Sequence, residues 1–220
     1  AVGFFCLLAN RFWLPNNIQQ GKPIALKDQL NLLRKKSILI GFSLTLFSFA
    51  ALFGTFTYLS PILADISGFT ENQITLILLL YGVAVAFGNL LGGKFSNTNP
   101  AKTLAVLFSI LLLTFGLMFL GLPYKIPALV LVAVIGVAGF ACVPGMQLYV
   151  IQLSEKYLAG TEDVASVLNI SAFNIGIALG SSLGGILISS TLGLLSISLM
   201  SAVFSLIAIL MAILSIQLEK

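Results

Sequence analysis

The sequence predicts an all-α membrane protein, folded as a bundle of six transmembrane helices. Hydrophobic residues make up 59% of the chain and charged residues 8%, and mean hydropathy is +1.10. About a quarter of the residues in soluble proteins are charged. Six stretches also reach the ~20 residues needed to cross a hydrocarbon core of about 30 Å. These stretches, free of Asp, Glu, Lys and Arg except for Lys94 at the end of the second, are residues 37–62, 73–94, 103–122, 127–153, 164–188 and 194–216.

The segments around the six stretches divide the chain. Residues 1–15 begin with an apolar run and no Met, so we expect the tail of a preceding transmembrane helix and a chain that is part of a longer protein. Residues 16–36 contain turn-forming and basic residues, which predict a cytoplasmic linker. Residues 37–216 form the predicted bundle, and residues 217–220 a cytoplasmic tail.

The cations predict the orientation. If six helices alternate in direction, ten of the 11 Lys and Arg residues fall on one side and Lys125 alone on the other. Because cytoplasmic loops are enriched in Lys and Arg, the first side should be cytoplasmic, together with the C-terminus. The net charge of +4 then reflects membrane topology, and no nucleic-acid partner is expected. The ten residues are Arg11, Lys22, Lys27, Arg34, Lys35, Lys36, Lys94, Lys102, Lys156 and Lys220.

The first two helices carry candidate cavity residues. Phe53 and Thr57 lie deep enough in the first helix to line a passage, whereas Tyr58 is predicted near the outer interface, as part of an aromatic belt. In the second helix, Tyr81 lies near mid-depth and Asn89 follows two turns later. Small residues at Ala84, Gly88 and Gly92 predict close packing against another helix.

The third and sixth helices offer no candidate, and the fourth offers a candidate gate. Pro144 lacks an amide donor and Gly145 is flexible, so the pair favours a kink. Membrane helices also tolerate such pairs for packing alone, and both interpretations stay open. Cys6 and Cys142 lie in apolar sequence and are expected to be packing residues, because no partner for a disulfide or a metal accompanies them.

The fifth helix combines two patterns. Gly176, Gly180 and Gly184 recur every four residues and predict a close helix contact, with a hinge or cavity wall as the alternative. Asn169 and Asn174 are five residues apart, so they are separated by about 140° around the axis and cannot both face one partner helix. An unpaired amide in hydrocarbon costs several kcal/mol, so each must find another helix, water or a ligand.

The missing residue types exclude several functions. The chain contains no His, and no acidic or basic side chain lies well inside a stretch, so it lacks the buried titratable group of an ion-coupled pump. No nucleophile with a base can be assembled either. We therefore expect no enzyme activity, no cofactor and no metal.

Two sequence runs resemble the major facilitator superfamily of transporters. The run from Phe53 to Lys94, FGTFTYLSPILADISGFTENQITLILLLYGVAVAFGNLLGGK, resembles the seventh and eighth helices of its bacterial drug and sugar efflux branch, related to arabinose efflux permeases. The run LNISAFNIGIALGSSLGG, from Leu168 to Gly185, resembles the eleventh helix. In the loop after the second helix, Asn97 stands where the family often has an acid, so the contact between the cytoplasmic ends of the two halves is expected to be weak or independent of charge.

The resemblance implies the C-terminal half of a twelve-helix exporter, with the N-terminal six-helix half as a partner. That half would carry the coupling acids of a proton antiporter. The two bundles would tilt about a binding site at the membrane midplane. The implied cargo is a small neutral or amphiphilic compound such as a sugar, nucleoside or drug. Three helices are expected to be inverted against three within the bundle. The family's cavity is lined by the first, second, fourth and fifth helices of this half, so the implied substrate contacts are Phe53, Thr57, Tyr81, Asn89, Asn169 and Asn174.

The alternative is a self-contained six-helix channel or half-transporter that acts as a homodimer. A third possibility, a membrane scaffold without transport, would make both Asn residues interhelical contacts. The expected location is the plasma membrane of a bacterium, as a multi-pass protein surrounded by lipid.

Overall fold

The computed structural model describes residues 3, 11 and 32–218. Within residues 32–218 it contains six helices long and apolar enough to cross a membrane. The preceding-helix tail, most of the linker, Cys6 and the last two residues lie outside the described residues. The helices are α1 (Lys36–Phe56), α2 (Glu71–Ser96), α3 (Pro100–Gly121), α4 (Lys125–Tyr157), α5 (Glu162–Ser189) and α6 (Ser196–Leu218).

Local sequence explains where the helices begin. Thr70 and Gln73 form a capping box at the start of α2, in which the Thr70 amide donates to Gln73 Oε1 at 3.1 Å. At the start of α3, Asn99 Oδ1 accepts from the Lys102 amide at 3.1 Å, and Pro100 occupies the first helical position, where no amide is needed. Gly68 adopts a φ of 68° in the turn before α2. That left-handed conformation favours glycine.

The first predicted stretch contains a break. The α-helix ends at Phe56, and the chain continues through a single turn, Leu59–Pro61, and a π-helical turn, Ile62–Ile66. Because Pro61 has no amide hydrogen, it cannot donate to the carbonyl of Thr57, which weakens the ladder at this point. The stretch predicted as one helix to residue 62 is therefore two segments.

The close helix contacts establish the directions of the helices. A Cβ at Gly176 or Gly180 would overlap the carbonyl of Leu46 or Ala50, so α5 runs parallel to α1. Likewise, a Cβ at Gly88 or Gly92 of α2 would overlap the carbonyl of Val137 or Ala141 in α4, so α2 runs parallel to α4. These glycines pack backbone against backbone, as their spacing predicts.

By contrast, α1 and α4 run in opposite directions. The Gly41 Cα faces Val150 and Leu153, whereas Gly139, earlier in α4, faces Leu52, later in α1. The described ends of the helices then separate by charge: Lys36, Lys94, Lys102 and Lys156 lie at one end of the bundle, the basic end, and Lys125 lies at the opposite end. Which end faces the cytoplasm stays a prediction.

The helix pairs form an inverted repeat. α1 packs against α5 and α6, α4 packs against α2 and α3, α3 contacts α6, and α1 contacts α4. Exchanging the first three helices with the last three converts the contacts of α1 with α5 and α6 into those of α4 with α2 and α3, and it leaves the pairs α1–α4 and α3–α6 unchanged. The contact between α4 and α5 departs from this symmetry, because α1 and α2 make no comparable contact. Because α1 and α4 are antiparallel, the two three-helix units are inverted, as the family resemblance implied.

Candidate functional site

The exposed surface of α5 carries a polar stripe between Ser171 and Ser182, with an apolar stripe of Ile175 and Ile186 beside it and the exposed Val167 one turn before it. Its buried side, which includes Asn169, Gly176 and Gly180, contacts α1 and α4. Between Ser171 and Ser182 five residues are exposed, and four of them are small or polar while the fifth is Ile175. The α5 polar stripe consists of Ser171, Asn174, Ala178 and Ser182.

The exposed surface of α2 is divided in the same way. The residues Leu79, Leu80, Val83 and Phe87 are between 49% and 67% exposed and form a bulky apolar surface suited to lipid. A second stripe, about 100° away around the axis, contains only small or polar side chains. The α2 polar stripe consists of Thr75, Gly82, Ala86 and Asn89, and a Cβ at Gly82 would meet nothing within 4 Å.

Asn89 and Asn174, one on each polar stripe, make the same kind of hydrogen bond within their own helices. Asn89 Nδ2 donates to the carbonyl of Val85 at 3.2 Å, and Asn174 Nδ2 donates to the carbonyl of Ile170 at 2.9 Å. Each partner lies four residues earlier in the same helix. Among the described residues, no group donates to either amide oxygen, and both side chains are exposed, so both can accept a hydrogen bond from outside this chain.

Asn169 is fully buried and belongs to the contact between α4 and α5. Its Nδ2 donates to Gln147 Oε1 at 2.9 Å, and Gln147 Nε2 donates to Ser166 Oγ. Asn169 Oδ1 is buried without a hydrogen-bond partner. Sequence reasoning missed Gln147, although an amide three residues after Pro144 in an otherwise apolar stretch was a usable signal.

Thr57 joins α1 to α5 beside the break in the first helix. Its Oγ1 lies 2.8 Å from Ser181 Oγ. Tyr58, predicted in an aromatic belt near the outer interface, is half-buried, and its hydroxyl donates to the carbonyl of Ser181 at 2.6 Å. It therefore bonds within the bundle, and its place in a belt stays a prediction. The Tyr58 ring also lies against Gly184, which has no side chain to obstruct it.

Six aromatic rings form a continuous row across α5, α1, α2 and α4. Successive centroids lie 4.3, 5.8, 5.7, 5.3 and 6.3 Å apart, within or close to the range of favourable ring pairs. Tyr81 is 5% exposed and lies between Phe56 and Phe140, so it contacts rings rather than open space. The aromatic row consists, in order, of Phe173, Phe49, Phe53, Phe56, Tyr81 and Phe140.

Comparison with known proteins identifies the family. The sequence model of the Major Facilitator Superfamily matches residues 1–171. The chain belongs to this superfamily.

Similar proteins within it are named as transporters. The chain is 38% identical over 195 residues to the uncharacterized MFS-type transporter YtbD of Bacillus subtilis, covering 89% of this chain and 49% of that protein. It is 30% identical to the putative transporter AraJ of Escherichia coli (83% and 45% covered) and 26% identical to the purine ribonucleoside efflux pump NepI of E. coli (100% and 54%). The chain thus spans about half the length of these relatives.

The predicted gate of this superfamily member lies in a continuous helix. α4 runs from Lys125 to Tyr157 through Pro144. The side of Gly145 faces Ser96 and Leu104, where a Cβ would come within 2.6 Å of Ser96 Oγ. Gly145 therefore has a packing role between α2, α3 and α4, and a gating role for the pair stays a prediction.

The two large grooves described on the transporter surface lie away from the polar stripes. One, of about 460 Å³, lies between α5 and α6 and is lined by residues such as Leu183, Ile186 and Phe204. The other, of about 500 Å³, lies among α2, α3 and α4 and is lined by residues such as Leu91, Phe95 and Val137. Because almost all of their lining is apolar, lipid chains suit them better than a polar solute.

Proposed function

We propose that this chain forms one wall of the substrate passage of an exporter that works by alternating access. The other wall would be the N-terminal six-helix half of the same transporter. The protein would reside in the bacterial inner membrane with the basic end of the bundle in the cytoplasm. Membership of the superfamily supports transport, and a relative named as an efflux pump supports the direction.

The two polar stripes carry this proposal. A helix in contact with lipid on all its exposed sides presents bulky apolar residues there, whereas α2 and α5 each expose one stripe with Asn, Ser or Thr and small residues. Such stripes face water, a substrate or another part of the protein. The inverted repeat relates α2 to α5. If both helices line one cavity, both are therefore expected to have a polar stripe beside an apolar surface, as they do.

The candidate contacts take different roles in this proposal. Asn89, Asn174 and Thr57 are exposed and can hydrogen-bond a substrate directly, and Phe53 is half-buried in the aromatic row. Asn169 and Tyr81 are buried, so a substrate reaches them only when helices of this half move. We propose that these two residues position the others in the state described here.

The cargo is proposed to be a small neutral or amphiphilic compound, such as a sugar, nucleoside or drug. No acidic or basic side chain lies on either polar stripe or in the aromatic row, so this wall offers nothing to neutralise a charged cargo. For the same reason, the coupling of export to proton entry is assigned to acids of the partner half.

An efflux assay tests the proposal. Intact cells expressing the complete gene are loaded with sugars, nucleosides and drugs, and export is followed with and without a protonophore. We expect at least one compound to be exported, and its export to stop when the proton gradient collapses. Export that persists at the same rate would contradict proton coupling, and the absence of any export by well-expressed protein would contradict the transport proposal.

A further inference from the structure

The proposed transport activity does not specify which chemical group of the cargo contacts the aromatic row. It crosses the four helices that the family resemblance assigns to the cavity. Along α1 its rings become progressively more exposed: Phe49 is 7% exposed, Phe53 is half-buried and Phe56 is 39% exposed. Along α1, the row therefore runs from the core at Phe49 to the surface at Phe56.

We propose that the exposed part of the aromatic row stacks against a flat, uncharged ring in the transported compound. This inference rests on the proposed function and narrows its substrate class, because it requires a planar ring with hydrogen-bonding substituents and excludes open-chain cargo. A ring face that approaches Phe56 would extend the series of centroid spacings already present in the row.

Hydrogen-bonding residues follow two rings of the row in sequence. Thr57 follows Phe56 directly, and its hydroxyl is exposed next to Ser181. Asn174 follows Phe173 directly, and its amide oxygen is open to a donor. A ligand with a flat ring and a polar substituent at its edge matches the exposed end of the row, since the ring meets Phe56 and the edge group meets Thr57. Asn174 lies seven residues before Ser181, about 10 Å farther along α5, and serves a larger ligand.

A packing role alone does not require this arrangement. Phe47 and Phe204 pair at 6.0 Å between α1 and α6, on the side of α1 away from the row, and their contact connects only those two helices. The row instead places its most exposed ring, Phe56, directly on the buried Tyr81, 5.3 Å between centroids and 22° between planes. Tyr81 thus holds one face of Phe56, which orients the ring from behind.

The test uses cells that express the complete gene and pairs of cargo compounds matched in size, one with an aromatic ring and one with the corresponding saturated ring. Phe56→Leu removes the ring and keeps an apolar side chain. Phe87→Leu is the matched control, because Phe87 is 59% exposed on the lipid-facing surface of α2. Phe53→Leu repeats the test at a second ring, and Phe56→Tyr restores an aromatic face.

We expect Phe56→Leu to raise KM for the aromatic compound about tenfold, as loss of one stacking contact does elsewhere, and to leave KM for the saturated compound unchanged. Phe87→Leu should change neither value, and Phe56→Tyr should restore the aromatic one. Equal effects on the two compounds, or none at Phe56 and Phe53, would overturn the ring proposal while transport itself stands. Wild-type cells that export neither class would instead overturn the proposed function.

Discussion

Asn169 and Asn174 show how one residue type serves two purposes on one helix. Their separation of about 140° predicts that they cannot share a partner, and the structure confirms it: Asn169 is buried against Gln147, and Asn174 is exposed on the α5 polar stripe. The hydrogen-bond geometry of each then decides which is available to a ligand. Asn174 uses only its amino group, within its own helix.

Replacing Asn174 tests direct contact with the substrate. In the full-length protein, Asn174→Leu should raise KM about five- to tenfold with normal expression, because one hydrogen bond contributes about 1 kcal/mol. Ile175→Leu, on the neighbouring apolar stripe, is the control and should leave transport unchanged. Normal transport by Asn174→Leu would remove this residue from the substrate site.

The contact between Gln147 and Asn169 should be visible in stability. Replacing Gln147 by Leu leaves the buried Asn169 amide without its partner, and replacing Asn169 by Leu removes the donor to Gln147 Oε1. We expect each single replacement to lower the free energy of unfolding by about 1 kcal/mol. The double replacement should cost less than the sum of the two single ones. Apparent melting temperatures in detergent provide the measurement, and strictly additive effects would show that the two amides do not stabilise each other.

At the scale of the helices, most of the fold follows from the sequence and the departures have local causes. Each of the six apolar stretches overlaps one described helix. The first departs at its end, because Pro61 interrupts the hydrogen-bond ladder and the chain passes into a π-helical turn. Hydropathy averages over many residues, so it does not detect a break of this length.

The site was only partly predictable for a similar reason. Sequence depth and polarity selected Asn89, Asn174 and Thr57, which are all exposed. Depth and polarity did not distinguish these three exposed residues from Tyr81 and Asn169, which are buried. Burial depends on which side of a helix meets its neighbours. In the aromatic row, the i, i+4, i+7 spacing of Phe49, Phe53 and Phe56 on one face of α1 was a usable signal. No pattern in the sequence joins these rings to those on the other three helices.

Adjacent glycines in α2 test whether the close packing of helices depends on missing side chains. A Cβ at Gly92 would overlap the backbone carbonyl of Ala141, whereas a Cβ at Gly93 would meet nothing within 4 Å. Gly92→Ala should therefore separate α2 from α4 and lower the yield of folded protein. Gly93→Ala should be neutral or stabilising by up to about 1 kcal/mol, since alanine favours helices.

Size-exclusion profiles and melting temperatures of the two variants provide the comparison. If Gly92→Ala matched Gly93→Ala in both measurements, the contact between α2 and α4 would be looser than described. Gly180 of α5 makes an equivalent close contact, with the carbonyl of Ala50.

At the scale of the whole molecule, the inverted repeat connects packing to the proposed activity. Each three-helix unit supplies one central helix, α1 or α4, and one helix with a polar stripe, α2 or α5, which packs on the central helix of the other unit. A shift of one unit against the other therefore changes the contacts between α1 and α5 and between α4 and α2 together. Alternating access needs such coupled movement.

The orientation of this bundle is the prediction on which the proposed direction of transport depends. The basic end carries Lys36, Lys94, Lys102 and Lys156, and the opposite end carries Lys125. Because positively charged loops stay in the cytoplasm, a Cys placed at Lys125 should react with a membrane-impermeant maleimide on intact cells. A Cys at Lys102 should react only after the cells are permeabilised.

The labelling needs a background in which Cys6 and Cys142 are replaced by Ala. Cys142 is fully buried and its Sγ donates to the carbonyl of Ala138, so its replacement leaves the exposed surface unchanged. Reaction at Lys102 and not at Lys125 on intact cells would invert the orientation and, with it, the direction inferred for transport. Reaction at both positions would contradict the six alternating spans, because α3 would then begin and end on one side of the membrane.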